Sequence, residues 1–106
     1  MTEQNWVAVD GLASGVPRDG DAPAVTLRQR TDAARIIQIT FAAGQTMPGH
    51  SAPRPIVLLG QRGTVTVEVD GAETSLEPGR ALQIGQRVPH SLTAVTDADV
   101  TLILVG

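Results

Sequence analysis

The chain has 106 residues, of which 42% are hydrophobic and 18% are charged, and its formal net charge is −3. This length fits one globular domain, and the acidic balance excludes the basic surface that a nucleic-acid partner requires. Cys, Lys and Tyr are absent, which excludes thiolate, Schiff-base and phenolic chemistry and leaves proton transfer to His50, His90 and the carboxylates.

The first 23 residues predict an arm outside the main fold. Asn5 to Val9 are expected as a short strand, and the GLASGVPRDGDAP that follows has the Gly, Pro and Asp content of a loop. The start of the chain lacks the pattern of a secretory signal, and the apolar runs are too short to cross a bilayer. We therefore expect a single-domain cytoplasmic protein with no membrane partner, in which residues 1–23 form a strand and loop arm and residues 24–106 form a barrel.

Two segments after the arm alternate apolar and polar residues with the period of a β-strand. Residues 24–30, AVTLRQR, place Val25 and Leu27 on one face, as a half-buried strand does. Residues 35–41, RIIQITF, repeat the pattern with every second side chain from Ile37 onward. The short polar connection between them predicts a hairpin.

A second hairpin is predicted further along the chain. Residues 64–69 alternate and end at Asp70-Gly71, a dipeptide that favours the positive φ values of a type I′ turn. Residues 72–76 should therefore return antiparallel to them. Shorter strands are predicted at 81–84, 91–95 and 100–105.

The last strand, VTLILV, is apolar on both faces, which predicts burial in the barrel on one side and beneath a second subunit on the other. No window shows helical periodicity over the roughly 10 residues that a helix needs. Many short strands separated by turns predict an all-β fold, an antiparallel barrel or sandwich.

Two stretches carry a resemblance to a known family. They are GQTMPGHSAPRPIVLLGQRG, residues 44–63, and GRALQIGQRVPH, residues 79–90. In the first, His50 follows Gly44 after five residues and Gly63 closes the motif, and in the second, Gly79 and His90 keep the family's spacing. The chain resembles a small single-domain cupin. The resemblance implies a jelly roll, or double-stranded β-helix, with a ligand in the barrel mouth and pairing of copies as a homodimer.

The chain departs from the family pattern where the metal ligands should stand. The second histidine is replaced by Ala52 and the glutamate by Ile56, while the Pro-x-Gly of the second motif reads Gly85-Gln86-Arg87. By the resemblance, only His50 and His90 of four ligands remain. Catalytic metal sites usually have three protein ligands, so tight binding of iron, manganese, nickel or zinc would require Gln45, Gln61 or a carboxylate to complete the site.

The resulting hypothesis is a small-molecule-binding barrel with a degenerate metal site. Its predicted pocket consists of Met47, His50, Ala52, Ile56, Leu58 and His90, although Ile56 and Leu58 are equally typical of core filling. Arg54 and Arg87 are candidates to receive a ligand carboxylate or simply solvated surface groups. The alternative function is a metal-dependent dioxygenase or isomerase in which His50 and His90 hold a divalent metal.

Overall fold

The computed structural model describes residues 5–106, and within that range it contains strands and loops but no helix. Nine strands follow one another within residues 5–106. They are β1 (Ala24–Arg30), β2 (Ala34–Phe41), β3 (Thr46–His50), β4 (Ile56–Arg62), β5 (Val65–Val69), β6 (Ala72–Leu76), β7 (Ala81–Ile84), β8 (His90–Ala94) and β9 (Ala98–Val105).

The strands form two antiparallel sheets. One has five strands in the order β1-β2-β9-β4-β7, and the other has four in the order β3-β8-β5-β6. Alternate side chains of both sheets enter one hydrophobic core, with Phe41 and Leu58 from the first sheet and Val67 and Leu92 from the second. The predicted all-β, jelly-roll class is confirmed. No helix in the described range is long and apolar enough to cross a bilayer.

Both predicted hairpins are present. β1 pairs with β2, and β5 pairs with β6 around Asp70 and Gly71, whose φ angles of 49° and 85° are the positive values that a type I′ turn requires. The strand expected at residues 5–9 is absent, because this part of the arm follows the surface without regular pairing. The arm is therefore a loop over the whole of its described length.

The apolar character of β9 has a structural reason. This strand lies in the middle of its sheet, between β2 and β4, and residues 98–101 are buried on both faces. Ile103 and Leu104 are half-buried, and Val105 is exposed. Cover by a second subunit at this end of the strand stays a prediction.

β1 is buried less than its alternation predicts. Val25 and Leu27 pair with Ile39 and Ile37, so their side chains point to the inner face of the sheet, as expected. They are nevertheless 57% and 53% exposed. β1 is the edge strand of its sheet, and β3, the facing edge of the other sheet, leaves this part of the inner face uncovered.

The arm is attached to the outer face of the five-stranded sheet by a buried carboxylate. Asp99 is fully buried and accepts a hydrogen bond from Thr40 Oγ1 at 2.6 Å and from Gln38 Nε2 at 3.4 Å. It also forms an ion pair with Arg62 Nε at 2.8 Å. The arm supplies the backbone N–H of Gly15, 3.3 Å from both carboxylate oxygens.

We expect Gly15→Ala to detach the arm. An added Cβ would lie 1.9 Å from Thr40 Oγ1 and 2.6 Å from Asp99 Oδ1, and neither atom can move without losing their mutual hydrogen bond. The variant should lose about 1–3 kcal/mol of stability, and trypsin should cleave after Arg18 faster than in the parent protein.

Gly85→Ala is the matched control, because its Cβ would meet only Val88 Cγ2, at an ordinary 3.6 Å. Equal free energies of unfolding for both variants and the parent, together with equal cleavage rates at Arg18, would contradict attachment of the arm through Gly15.

Candidate functional site

Two histidines meet where β3 pairs with β8. His50 lies directly opposite His90 in the antiparallel register, after an irregularity in β3 between Met47 and His50. Their ring centroids are 4.5 Å apart, and the ring planes are tilted by 59°. His90 shares its strand face with the core residue Leu92, so both rings lie on the inner side of the sheet, at its end. We call this end of the barrel the mouth.

The backbone fixes the tautomer of both neutral rings. His50 Nδ1 lies 3.0 Å from the carbonyl oxygen of Pro48, and His90 Nδ1 lies 3.0 Å from that of Val88. A carbonyl oxygen only accepts, so each Nδ1 must carry the proton. Each Nε2 is then left with a lone pair, free to accept a hydrogen bond or to bind a metal.

The two rings differ in their access to solvent. His50 is exposed, whereas His90 is only 3% exposed and lines a small cleft of about 80 Å³. The carboxylate-bearing residues Glu68 and Asp70 line the same small cleft. No buried side-chain nitrogen or oxygen in the described range lacks a hydrogen-bond partner.

A resident metal ion does not fit this donor set. Within residues 5–106, no group of three or more His, Asp or Glu side chains is placed to hold one. Gln45 and Gln61 do not complete the site, because Gln45 binds Arg18 and Gly20 carbonyls and Gln61 donates to Thr101 Oγ1. Two imidazoles alone leave the remaining coordination to water.

A much larger cleft, which we call the seam cleft, opens beside His50. It lies where the edge strands β1 and β3 of the two sheets face each other, and its volume is about 510 Å³. Apolar side chains and backbone form most of its wall, and the arm forms one side. Its lining residues are Arg18, Ala22, Pro23, Val25, Thr46, Met47, Pro48, Gly49 and His50.

The predicted pocket residues divide between three places. Met47 and His50 line the seam cleft, and His90 lines the small cleft next to it. Ile56 and Leu58 are 1% and 0% exposed and fill the core between the sheets. Ala52 is half-buried and packs against that core; like Ile56 and Leu58, it lines neither cleft.

The arginines singled out from the sequence also lie outside both clefts. Arg87 stands where the family motif has glycine, and its φ of 61° lies in the left-handed region that favours glycine. Its backbone N–H donates to the carbonyl of Ala52 at 2.7 Å. Arg54 lies against Gly106 at the chain end.

Sequence patterns missed the arm side of the seam cleft. Arg18, Ala22 and Pro23 belong to a loop with no periodicity, so no pattern indicates which strand they approach. The alternation of β1 predicts that Val25 points to the inner face of the sheet. It does not predict whether the opposite sheet covers that face.

The family assignment rests on a sequence match over most of the barrel. The family profile described as Cupin domain matches residues 37–106. The chain is a cupin. No curated protein sequence matches this cupin significantly.

Solved structures agree with the assignment. An RmlC-like cupin protein from Desulfovibrio desulfuricans superposes with a TM-score of 0.78 at 25% identity, covering 99% of this cupin and 96% of that chain. A cupin superfamily protein from Desulfitobacterium hafniense gives 0.76 at 14% identity, covering 85% and 83%. A salicylate 1,2-dioxygenase from Pseudaminobacter salicylatoxidans gives 0.66 at 25% identity, covering 69% of this cupin and 21% of the dioxygenase chain.

We expect both histidines of this cupin to be protonated on Nδ1 when the rings are neutral, because each Nδ1 must donate to a backbone carbonyl. Long-range ¹H–¹⁵N correlation spectra at alkaline pH should show the protonated shift at Nδ1 and the unprotonated shift at Nε2 for His50 and His90. Urea-unfolded protein is the control, since it loses both carbonyl acceptors. A ring protonated on Nε2 at His90 in the folded protein would contradict the assignment.

Proposed function

We propose that this cupin binds a small organic molecule at the barrel mouth, in the seam cleft beside the histidine pair. The observation that carries the proposal is the cleft itself. Its volume of about 510 Å³ lies in the range of small-molecule sites, and its wall is mostly apolar with a few polar groups, as is typical of such sites.

The residues around the cleft support a role in binding. Met47 is half-buried, and its flexible thioether can adapt to ligands of different shape. His50 adds an imidazole whose Nε2 is free to accept a hydrogen bond. Val25 presents an inner-face apolar side chain that is 57% exposed, and a ligand would remove it from water.

The ring geometry favours one alternative, a metal-dependent enzyme of the dioxygenase or isomerase type in which His50 and His90 hold a divalent metal. The two rings are adjacent, both Nε2 atoms are free, and a salicylate 1,2-dioxygenase is among the similar structures. The donor set counts against a resident metal, because residues 5–106 supply no third ligand. We therefore assign no catalytic step to a metal.

Filling the seam cleft should abolish binding. We expect Ala22→Trp to occupy the cleft, because Ala22 is exposed and lines its wall. A fragment screen on protein labelled with ¹³C-methyl methionine would find ligands through Met47, one of only two methionines. Ligands should shift the Met47 signal saturably in the parent protein and at least about tenfold more weakly in the variant.

Ala72→Trp is the matched control, since Ala72 is also exposed but lies outside the cleft. If no fragment shifts the Met47 signal, or if Ala22→Trp binds every ligand as well as the Ala72→Trp control, small-molecule binding in the seam cleft is wrong.

Metal binding through the histidine pair should be weak and reversible. We expect protein purified without a histidine tag to lose any bound Fe, Mn, Ni or Zn on dialysis against a chelator, because two imidazoles make an incomplete ligand set. Added Zn²⁺ should bind at least about tenfold more weakly to His90→Ala than to the parent. Elemental analysis after ultrafiltration measures both. Stoichiometric metal that survives the chelator and depends on His90 would favour the enzyme instead.

Two further features stay predictions. The half-buried apolar residues Ile36, Val57 and Ile103 form one cross-strand row on the outer face of the five-stranded sheet, and this row supports a homodimer. We likewise propose a location in the cytoplasm.

A further inference from the structure

We infer that the seam cleft selects small carboxylates with an apolar body, and that Arg18 of the arm binds the carboxylate group. The inference rests on the proposed function and adds to it the chemical class of the ligand. It depends on three observations, namely the charge of the cleft wall, the anchoring of Arg18 and the surroundings of its guanidinium.

Among the described residues that line the cleft, Arg18 alone carries a permanent charge, and His50 is the other residue with an ionisable side chain. Asp19 and Asp21 are close to Arg18 in the chain, but neither lines the cleft. The wall is therefore cationic in a protein whose net charge is −3.

The small cleft at His90 has the opposite character. Glu68 and Asp70 line it, and no arginine does. An anionic ligand near the mouth would thus meet attraction on the seam side and repulsion on the other. The two sides of the histidine pair differ in the charge that they accept.

The backbone of Arg18 is held in place over the cleft. Gln45 is 4% exposed, and its Nε2 donates to the carbonyl of Arg18 at 2.7 Å and to that of Gly20 at 3.0 Å. The Gln45 side chain is itself fixed, because the Ala42 N–H donates to its Oε1 at 2.8 Å. Thr46 N–H, on β3, donates to the Asp21 carbonyl at 3.0 Å. A ligand would not have to order this part of the arm.

The guanidinium of Arg18 is not used within the described part of the protein. It forms no hydrogen bond or ion pair with residues 5–106, unlike Arg28, which donates to Gln38 and to the Asp10 carbonyl, or Arg62, which binds Asp99. The planar guanidinium can donate two parallel hydrogen bonds to one carboxylate. The apolar remainder of the wall, above all Pro23, Val25 and Met47, would then pack against the ligand body.

A matched pair of probes tests this assignment. Cyclohexanecarboxylate and cyclohexanecarboxamide have the same apolar body and differ in charge. Titrations followed by the ¹³C-methyl signal of Met47 and by backbone amide shifts should give the carboxylate at least about a fivefold higher affinity. The preference should shrink as ionic strength rises to about 0.3 M, because Arg18 is exposed.

Substitutions identify the residue responsible. Arg18→Gln should abolish the preference for the carboxylate and leave the affinity for the amide unchanged. Arg18→Lys should retain part of the carboxylate preference, since lysine keeps the positive charge but cannot donate two parallel hydrogen bonds from a planar group. Arg30→Gln is the control for net charge, because Arg30 is exposed and lies outside the cleft. It should behave as the parent does.

The outcomes separate this inference from the proposed function. Equal shifts of Met47 by both probes, unaffected by Arg18→Gln, would overturn the role of Arg18 while leaving small-molecule binding intact. A carboxylate preference that Arg18→Gln and Arg30→Gln reduce equally would show a general charge effect and would also overturn it. No Met47 shift by either probe up to about 20 mM would overturn the carboxylate assignment, and the fragment screen with Ala22→Trp would then decide the proposed function separately.

Discussion

The buried carboxylate of Asp99 connects the arm to three neighbouring strands of the five-stranded sheet. It lies on the central strand β9 and binds β2 through Thr40 and Gln38, β4 through Arg62, and the arm through Gly15. Removing a carboxylate from water costs free energy unless hydrogen-bond donors surround it. The Asp99 carboxylate therefore needs the N–H that the arm supplies, and the arm needs the carboxylate as its attachment point. The arm covers Asp99, and Asp99 holds the arm across the sheet edge, where it becomes one side of the seam cleft.

Most of the fold could be predicted from the sequence because its strands are short, alternating and separated by strong turn residues. Asp70-Gly71 predicts its hairpin through the backbone conformation that the two residues favour, and the observed φ angles agree. The exposure of Val25 could not be predicted in the same way. Alternation tells which side chains share a face, whereas burial depends on how far the opposite sheet extends.

The candidate site could be predicted only in part. The spacing of His50 and His90 suggested that they meet, and the structure brings them together across two paired strands. The seam cleft has no comparable signal, since it depends on where a loop without periodicity is attached. Next to the cleft, the arm is held by the side chain of Gln45, which the sequence suggested as a metal ligand and which instead donates to the carbonyls of Arg18 and Gly20.

Two positions in the family motifs of this cupin, Gly63 and Arg87, have left-handed backbone conformations. Gly63 has φ of 69°, and a Cβ there would lie 2.0 Å from the Asp97 carbonyl oxygen, so only glycine fits. Arg87 adopts a similar conformation without being glycine, at a cost of about 1 kcal/mol. The Arg87 N–H donates to the carbonyl of Ala52, a position whose methyl side chain offers no metal ligand. This barrel therefore keeps the spacing of the family motifs without the full set of metal ligands.

The attachment of the arm also bears on how binding preference could change in this family. The segment that matches the family begins at residue 37, whereas Arg18, Ala22 and Val25 precede it. One wall of the cleft is therefore built by residues outside the segment that matches the family profile. Under the binding that we propose, substitutions in this wall would change ligand contacts without altering the core between the sheets, whereas Met47 and His50 of the opposite wall lie inside the matched segment.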